Sequence, residues 1–168
     1  LHMAEFGGLH LPPGERKNYR KISYFLGVML NAQGQRFVDE GANFRNYTYA
    51  PVPGDVALEH FSIEPDRTYL LPMIREAQAV PGAAFEIIAS PWTAPPWMKT
   101  NDSWYGGSLK PGLEGVWARY LVKYLTAYRD RGIPIWGLTP ENEPLGNNGQ
   151  WDSMHFTPES MRDFIRDH

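Results

Sequence analysis

Two short apolar runs, AFEIIA at residues 84–89 and PIWGLT at residues 134–139, flank a stretch with helical spacing. That order limits the fold more than any other feature. From Leu113 to Arg131, the residues Val116, Tyr120, Leu121, Tyr124, Leu125 and Tyr128 recur with the period of an α-helix, and Gly132 follows as a stop. The first apolar run is bounded by Gly82 before it and Ser90-Pro91 after it. Both runs read as buried strands. Upstream, Ser62-Ile-Glu-Pro65 announces another helix: Ser62 or Glu64 can cap it, and Pro65 is tolerated in a first turn, where its missing N–H has no intrahelical partner. Leu70, Ile74 and Ala77 give that helix one apolar stripe, Pro72 bends it or delays its start, and Pro81-Gly82 ends it. Thr157-Pro158 opens a last helix, with Thr as cap and Pro in first position. Helix, strand, a long loop over 90–111, helix, strand, loop, helix is the order of consecutive βα units around a parallel sheet. The expected fold class is therefore α/β, with function gathered where strands end and loops begin.

The chain has 168 residues, whereas a complete (β/α)8 barrel needs about 200 to 250. Any barrel formed here is therefore expected to be a fragment, and the start at Leu1 fits a piece of something longer. A net charge of −3 without runs of like charge argues against nucleic acid as a partner. The absence of cysteine removes disulfides, thiolate nucleophiles and Cys-based metal sites. His2, His10, His60, His155 and His168 are scattered without ligand spacing, so no metal site is expected. No apolar run has the length of a membrane span, and no basic-then-apolar leader opens the sequence, which leaves the compartment open. Nothing points to a partner chain. Near the start, ISYFLGVML at 22–30 suits a buried strand or a short buried helix. With the turn Asn31-Ala-Gln-Gly34 and the return QRFVD it suggests a β-hairpin around Gln33-Gly34. Arg16, Lys17, Arg20 and Lys21 read as a solvated basic face.

Two loop starts carry the chemistry: Ser90-Pro-Trp-Thr-Ala-Pro-Pro-Trp-Met-Lys-Thr-Asn-Asp102 and Pro140-Glu-Asn-Glu-Pro144. Each follows a predicted strand, so both are expected on one carboxyl rim, with tryptophans near carboxylates. A sugar ring packs its C–H faces on indole and bonds its hydroxyls to Asn, Asp and Glu, and cleaving its glycosidic bond needs a carboxylic acid to protonate the departing oxygen. Trp97 reads more as a cap on the sheet end than as substrate lining, and the tyrosines of the 116–128 helix read as packing surface.

The runs SPWTAPPWMKTND (90–102), GSLKP (107–111), WARYLVKYL (117–125) and LTPENEP (138–144) resemble glycoside hydrolase family 30, the glucosylceramidase-like enzymes. NYTYAPVPGDVALEHFSIEPD (46–66) and FTPESMRDFIRD (156–167) resemble the same family, so the similarity spans about residues 46–168. The resemblance implies a retaining β-glycosidase acting on a carbohydrate or glycolipid, on a (β/α)8 barrel of which this chain holds the early βα units, strands three and four included. It implies Glu143 as general acid/base, Asn142 as the residue that hydrogen-bonds the sugar 2-OH, and Trp92 as a substrate-lining indole. A proton-holding acid at Glu143 is expected to be partly buried against aromatic faces, with its pKa raised. Glu141 and Glu143, one residue apart, would share a face of an extended segment without facing each other across a bond, so Glu141 is expected to be structural. The family's nucleophile belongs to a later strand, so the polypeptide alone is expected to be inactive.

Residues 1–45 depart from that pattern: Asn43 stands where the family has an Asp that binds sugar hydroxyls. Gly27 to Glu40 instead resembles a hairpin of flavin-dependent fumarate reductase and tricarballylate dehydrogenase-type proteins, and Asn46-Tyr-Thr-Tyr-Ala50 suits either family. No Gly-x-Gly-x-x-Gly fingerprint is present to hold FAD, so no cofactor is expected. The expected division is residues 1–45, an unmatched or flavoprotein-like N-terminal segment, and residues 46–168, an incomplete glycosidase barrel domain. Two other readings stand beside the enzyme: an inactive carbohydrate-binding remnant, and a chimeric or truncated product carrying a piece of a flavin-dependent dehydrogenase, whose exposed barrel edges would make it aggregate.

Overall fold

The computed structural model describes residues 48–68, 70–145 and 152–168, all within the unit Arg45–His168. The expected hairpin at 22–39, the basic cluster at 16–21 and Asn43 lie outside the described residues. The elements follow the expected order: α1 (Leu70–Gln78), β1 (Ile88–Ala89), α2 (Glu114–Arg129), β2 (Gly137–Leu138) and α3 (Pro158–Asp167). β1 and β2 are parallel, with Ile88 opposite Gly137 and Ala89 opposite Leu138. The crossover between them is α2, as a βα unit requires.

Local chemistry accounts for the element ends. Pro65 seeds a 3-10 turn over Glu64–Arg67, and a separate helix starts at Leu70, so the expected single helix is two pieces. Pro72 falls in the first turn of α1, where a missing N–H costs nothing, so it delays the helix rather than bending it. The buried face of α1 is Leu71 and Ile74, with Leu70 half-buried, while Ala77 is exposed. α2 stops in a Schellman arrangement: the Ile133 N–H donates to the Tyr128 carbonyl (3.1 Å) and the Gly132 N–H to the Arg129 carbonyl (2.9 Å). Gly132 sits at φ +74°, which a residue without Cβ adopts freely. α3 opens on a capping box, the Ser160 N–H donating to Thr157 Oγ1 (3.1 Å) and the Thr157 N–H to Ser160 Oγ (2.9 Å).

The strands are shorter and less covered than their composition predicts. Phe85 is exposed, and Ile88 and Trp136 are 60% and 66% exposed. A parallel strand is buried only when other layers cover both of its faces, and among the described residues β1 has β2 as its one partner. The core lies behind the sheet in two clusters. One packs Met98, Val116, Trp117, Leu121, Met154, Phe156 and Phe164 together, tying the loop after β1 to α2 and α3. The other joins Ile63, Leu71 and Ile74 to Tyr128 and Ile133. Complete burial of side chains such as Met98 or Ile133 contributes about 1.5–3 kcal/mol each. Among the described residues no helix is long and apolar enough to cross a membrane.

Candidate functional site

The two loops after the strands leave side by side. The Thr139 N–H donates to the Ala89 carbonyl (3.0 Å), and the Ser90 and Thr139 hydroxyls are bonded at 2.5 Å. One step further, the Asn142 N–H donates to the Pro91 carbonyl (2.8 Å). The loop starts carrying Trp92 and Asn142-Glu143 are thus held on one rim. Trp92 is 41% exposed and Asn142 is half-buried. Trp97 is turned inward, its indole N–H donating to the Ala50 carbonyl at 3.0 Å, so it packs as expected. The loop over 90–111 is organised rather than irregular: a 3-10 turn spans Pro96–Met98, and Lys99 bridges antiparallel to Leu109. An open groove of about 640 Å3 runs beside it, lined by Pro51, Pro53, Pro96, Trp97, Asp102 and Trp104 among others. None of Trp92, Asn142 or Glu143 lines that groove.

The structure differs from the sequence expectation at the two glutamates. Glu143 is exposed, not folded against aromatic faces. Glu141 is the buried one, 5% exposed. The two do not share a face because Glu143 sits at φ +48°, in the left-handed region, which ends the extended alternation that i and i+2 side chains need. Both carboxyl oxygens of Glu141 lack a hydrogen-bond partner among the described residues. Burial pushes its pKa up to about 9 against the opposing pull of the Lys99 charge and the Met154 amide, the latter outside full hydrogen-bond geometry.

Beside it lies Lys99, fully buried, a residue to which the sequence assigns no role. Its ammonium donates to Ser153 O (2.6 Å), Thr93 Oγ1 (2.8 Å) and Trp104 O (3.2 Å). An ammonium has three donors, and all are spent on neutral oxygens. That leaves none for Glu141, which explains its unpartnered oxygens. Burial pushes Lys99 down to about 8, while Glu141 and buried Asp152 favour its charged form. A lysine between Met98 and Thr100 in an apolar, tryptophan-rich loop was the one sequence signal available for it. Among the described residues no three His, Asp or Glu side chains gather to hold a metal ion.

The model of the glycosyl hydrolase family 30 TIM-barrel domain matches residues 12–168. The mouse lysosomal acid glucosylceramidase is 42% identical over 163 residues, covering 92% of this chain and 32% of that protein. The structure superposes on the endo-beta1,6-glucanase BT3312 with a TM-score of 0.67 at 34% identity, covering 74% of this chain and 28% of that one. It superposes on SrfJ from Salmonella typhimurium with a TM-score of 0.65 at 33% identity, covering 71% and 27%. The chain thus spans about a third of the length of the relatives it matches. The family match takes in residues 12–45 as well, and the flavoprotein resemblance of that stretch finds no support. The strand–loop–helix order, the tryptophan-bearing rim and these likenesses agree: the chain belongs to glycosyl hydrolase family 30.

Proposed function

We propose that this chain is the acid/base-bearing portion of a retaining β-glycosidase acting on a carbohydrate or glycolipid. In this reading Glu143 protonates the departing glycosidic oxygen, Asn142 bonds the sugar 2-OH, and the exposed face of Trp92 packs on the sugar's C–H face. The observation that supports it is the Asn142 N–H bonded to the Pro91 carbonyl at 2.8 Å, one residue from Trp92 and one from Glu143. We take residues 46–168 as an incomplete barrel domain holding strands three and four, with residues 1–45 as a separate N-terminal segment.

A retaining site needs a second carboxylate about 5 Å from the acid, across the scissile bond. Glu141 is buried and cannot reach a bond in solvent. An effective acid also needs cover that holds its proton, and Glu143 is exposed. The 168-residue polypeptide is therefore expected to bind sugar without cleaving it. Titrated with an iminosugar analogue of glucose, it should show a tryptophan fluorescence change that Trp92→Ala abolishes, and it should release no nitrophenol from an aryl β-glucoside. Absence of binding would sink the sugar-site reading. Turnover that vanished in Glu143→Gln would retain that reading and refute the inactivity.

A further inference from the structure

We propose that Lys99 is the positioning residue of this rim: its ammonium ties two points of the long loop after β1, Thr93 and Trp104, to Ser153 ahead of α3, and so holds the Trp92 side of the rim in place. The proposal rests on the sugar-site reading above and deepens it. Three segments meet at Lys99. Thr93 lies one residue after Trp92, Trp104 lies farther along the same loop, and Ser153 lies ahead of α3. The same segments are laced to one another. Thr93 Oγ1 donates to the Ser153 carbonyl (3.1 Å), the Ser153 N–H to the Trp104 carbonyl (3.0 Å), the Gly106 N–H to Ser153 Oγ (2.8 Å) and the His155 N–H to the Gly107 carbonyl (2.7 Å).

Remove the cation and the Ser153 and Trp104 carbonyls each lose a bond made by the ammonium. No other side-chain cation bonds to either of them among the described residues. A fully buried lysine without a hydrogen-bonded counter-ion is costly to keep. Its cost is offset here by three bonds that no uncharged side chain of similar length supplies together, because a methionine offers no donor and a glutamine amide offers two. Glu141, whose carboxyl oxygens have no hydrogen-bond partner among the described residues, completes the packing without competing for those donors.

The experiment is amide hydrogen exchange on the full chain and on Lys99→Met, with the iminosugar titration run on both. Exchange at Gly106, Ser153 and His155 should accelerate at least tenfold while the amides of α2 keep their protection, and iminosugar affinity should fall at least tenfold. Equal acceleration throughout α2, or an unchanged rim, overturns the proposal. Should Lys99→Met fail to fold, Thr93→Val removes one acceptor only. Its acceleration must be confined to the same three amides, and a uniform effect again overturns the proposal. If the parent chain binds no iminosugar while the rim amides still loosen in Lys99→Met, the sugar-site reading fails and the clamp stands as a property of the loops.

Discussion

Among the described residues Asp66, Glu141 and Asp152 are the buried carboxyl groups, and the first two are treated in opposite ways. Asp66, 2% exposed, accepts from the Tyr49 hydroxyl at 2.7 Å and the Tyr128 hydroxyl at 2.5 Å, among rings that stack further along α2. Glu141, 5% exposed, has no hydrogen-bond partner among the described residues. The first is a satisfied junction that pins the 3-10 turn before α1 to the last turn of α2. The second is an unsatisfied group beneath the rim, where the fold tolerates cost. At Asp66 polar burial is stabilising architecture, and at Glu141 it is tension held in place by neighbours.

The comparison can be broken first at Asp66. Asp66→Ala takes the carboxylate from the buried Tyr128 hydroxyl and the half-buried Tyr49 hydroxyl, and denaturant unfolding should show a loss of about 3–4 kcal/mol. A loss below about 1 kcal/mol, the usual worth of a neutral bond, would show that the junction holds nothing together. Glu141→Gln should act in the opposite direction. The Glu141 pKa is about 9 in the folded chain against 4.5 when free, so the folded form holds its proton while the unfolded chain ionises above pH 4.5. The stability this proton confers is complete below pH 4.5 and is lost as pH rises toward 9. Lys99, at about 8 in the folded chain and 10.5 when free, changes its contribution only above pH 8. Between pH 5 and pH 8 the Glu141 contribution should therefore fall, and Glu141→Gln should remove that fall and gain about 1–2 kcal/mol at pH 8. Parallel pH profiles for parent and variant would show that Glu141 carries no such load. The smallest effect belongs to Tyr49→Phe, which removes one hydroxyl from Asp66 and should cost about 0.5–1 kcal/mol, measured by the same unfolding curves.

How far the sequence anticipates the molecule follows the same division. The βα order, the Thr157 cap, the Gly132 stop and the convergence of the two loop starts were legible, because each depends on a few adjacent residues and on local sterics. Strand extent was not: AFEIIA has the composition of a buried strand, but burial needs covering layers that a run of six residues does not specify. At the site, which glutamate is buried was illegible for a similar reason. A single left-handed residue at Glu143 reverses the facing of its neighbours, and Glu is not a residue whose presence signals that conformation. Lys99 was illegible because its three acceptors come from positions 93, 104 and 153, which nothing along the chain connects.

The bond from the Asn142 N–H to the Pro91 carbonyl has one more consequence. It hangs position 142 from the start of the neighbouring loop by its main chain, so the bond that places it does not depend on which side chain stands there. The amide at 142 is exchangeable cargo on a fixed hook: a laboratory or a lineage could swap it for another small hydrogen-bonding group and retune what the edge recognises while the scaffold stays still.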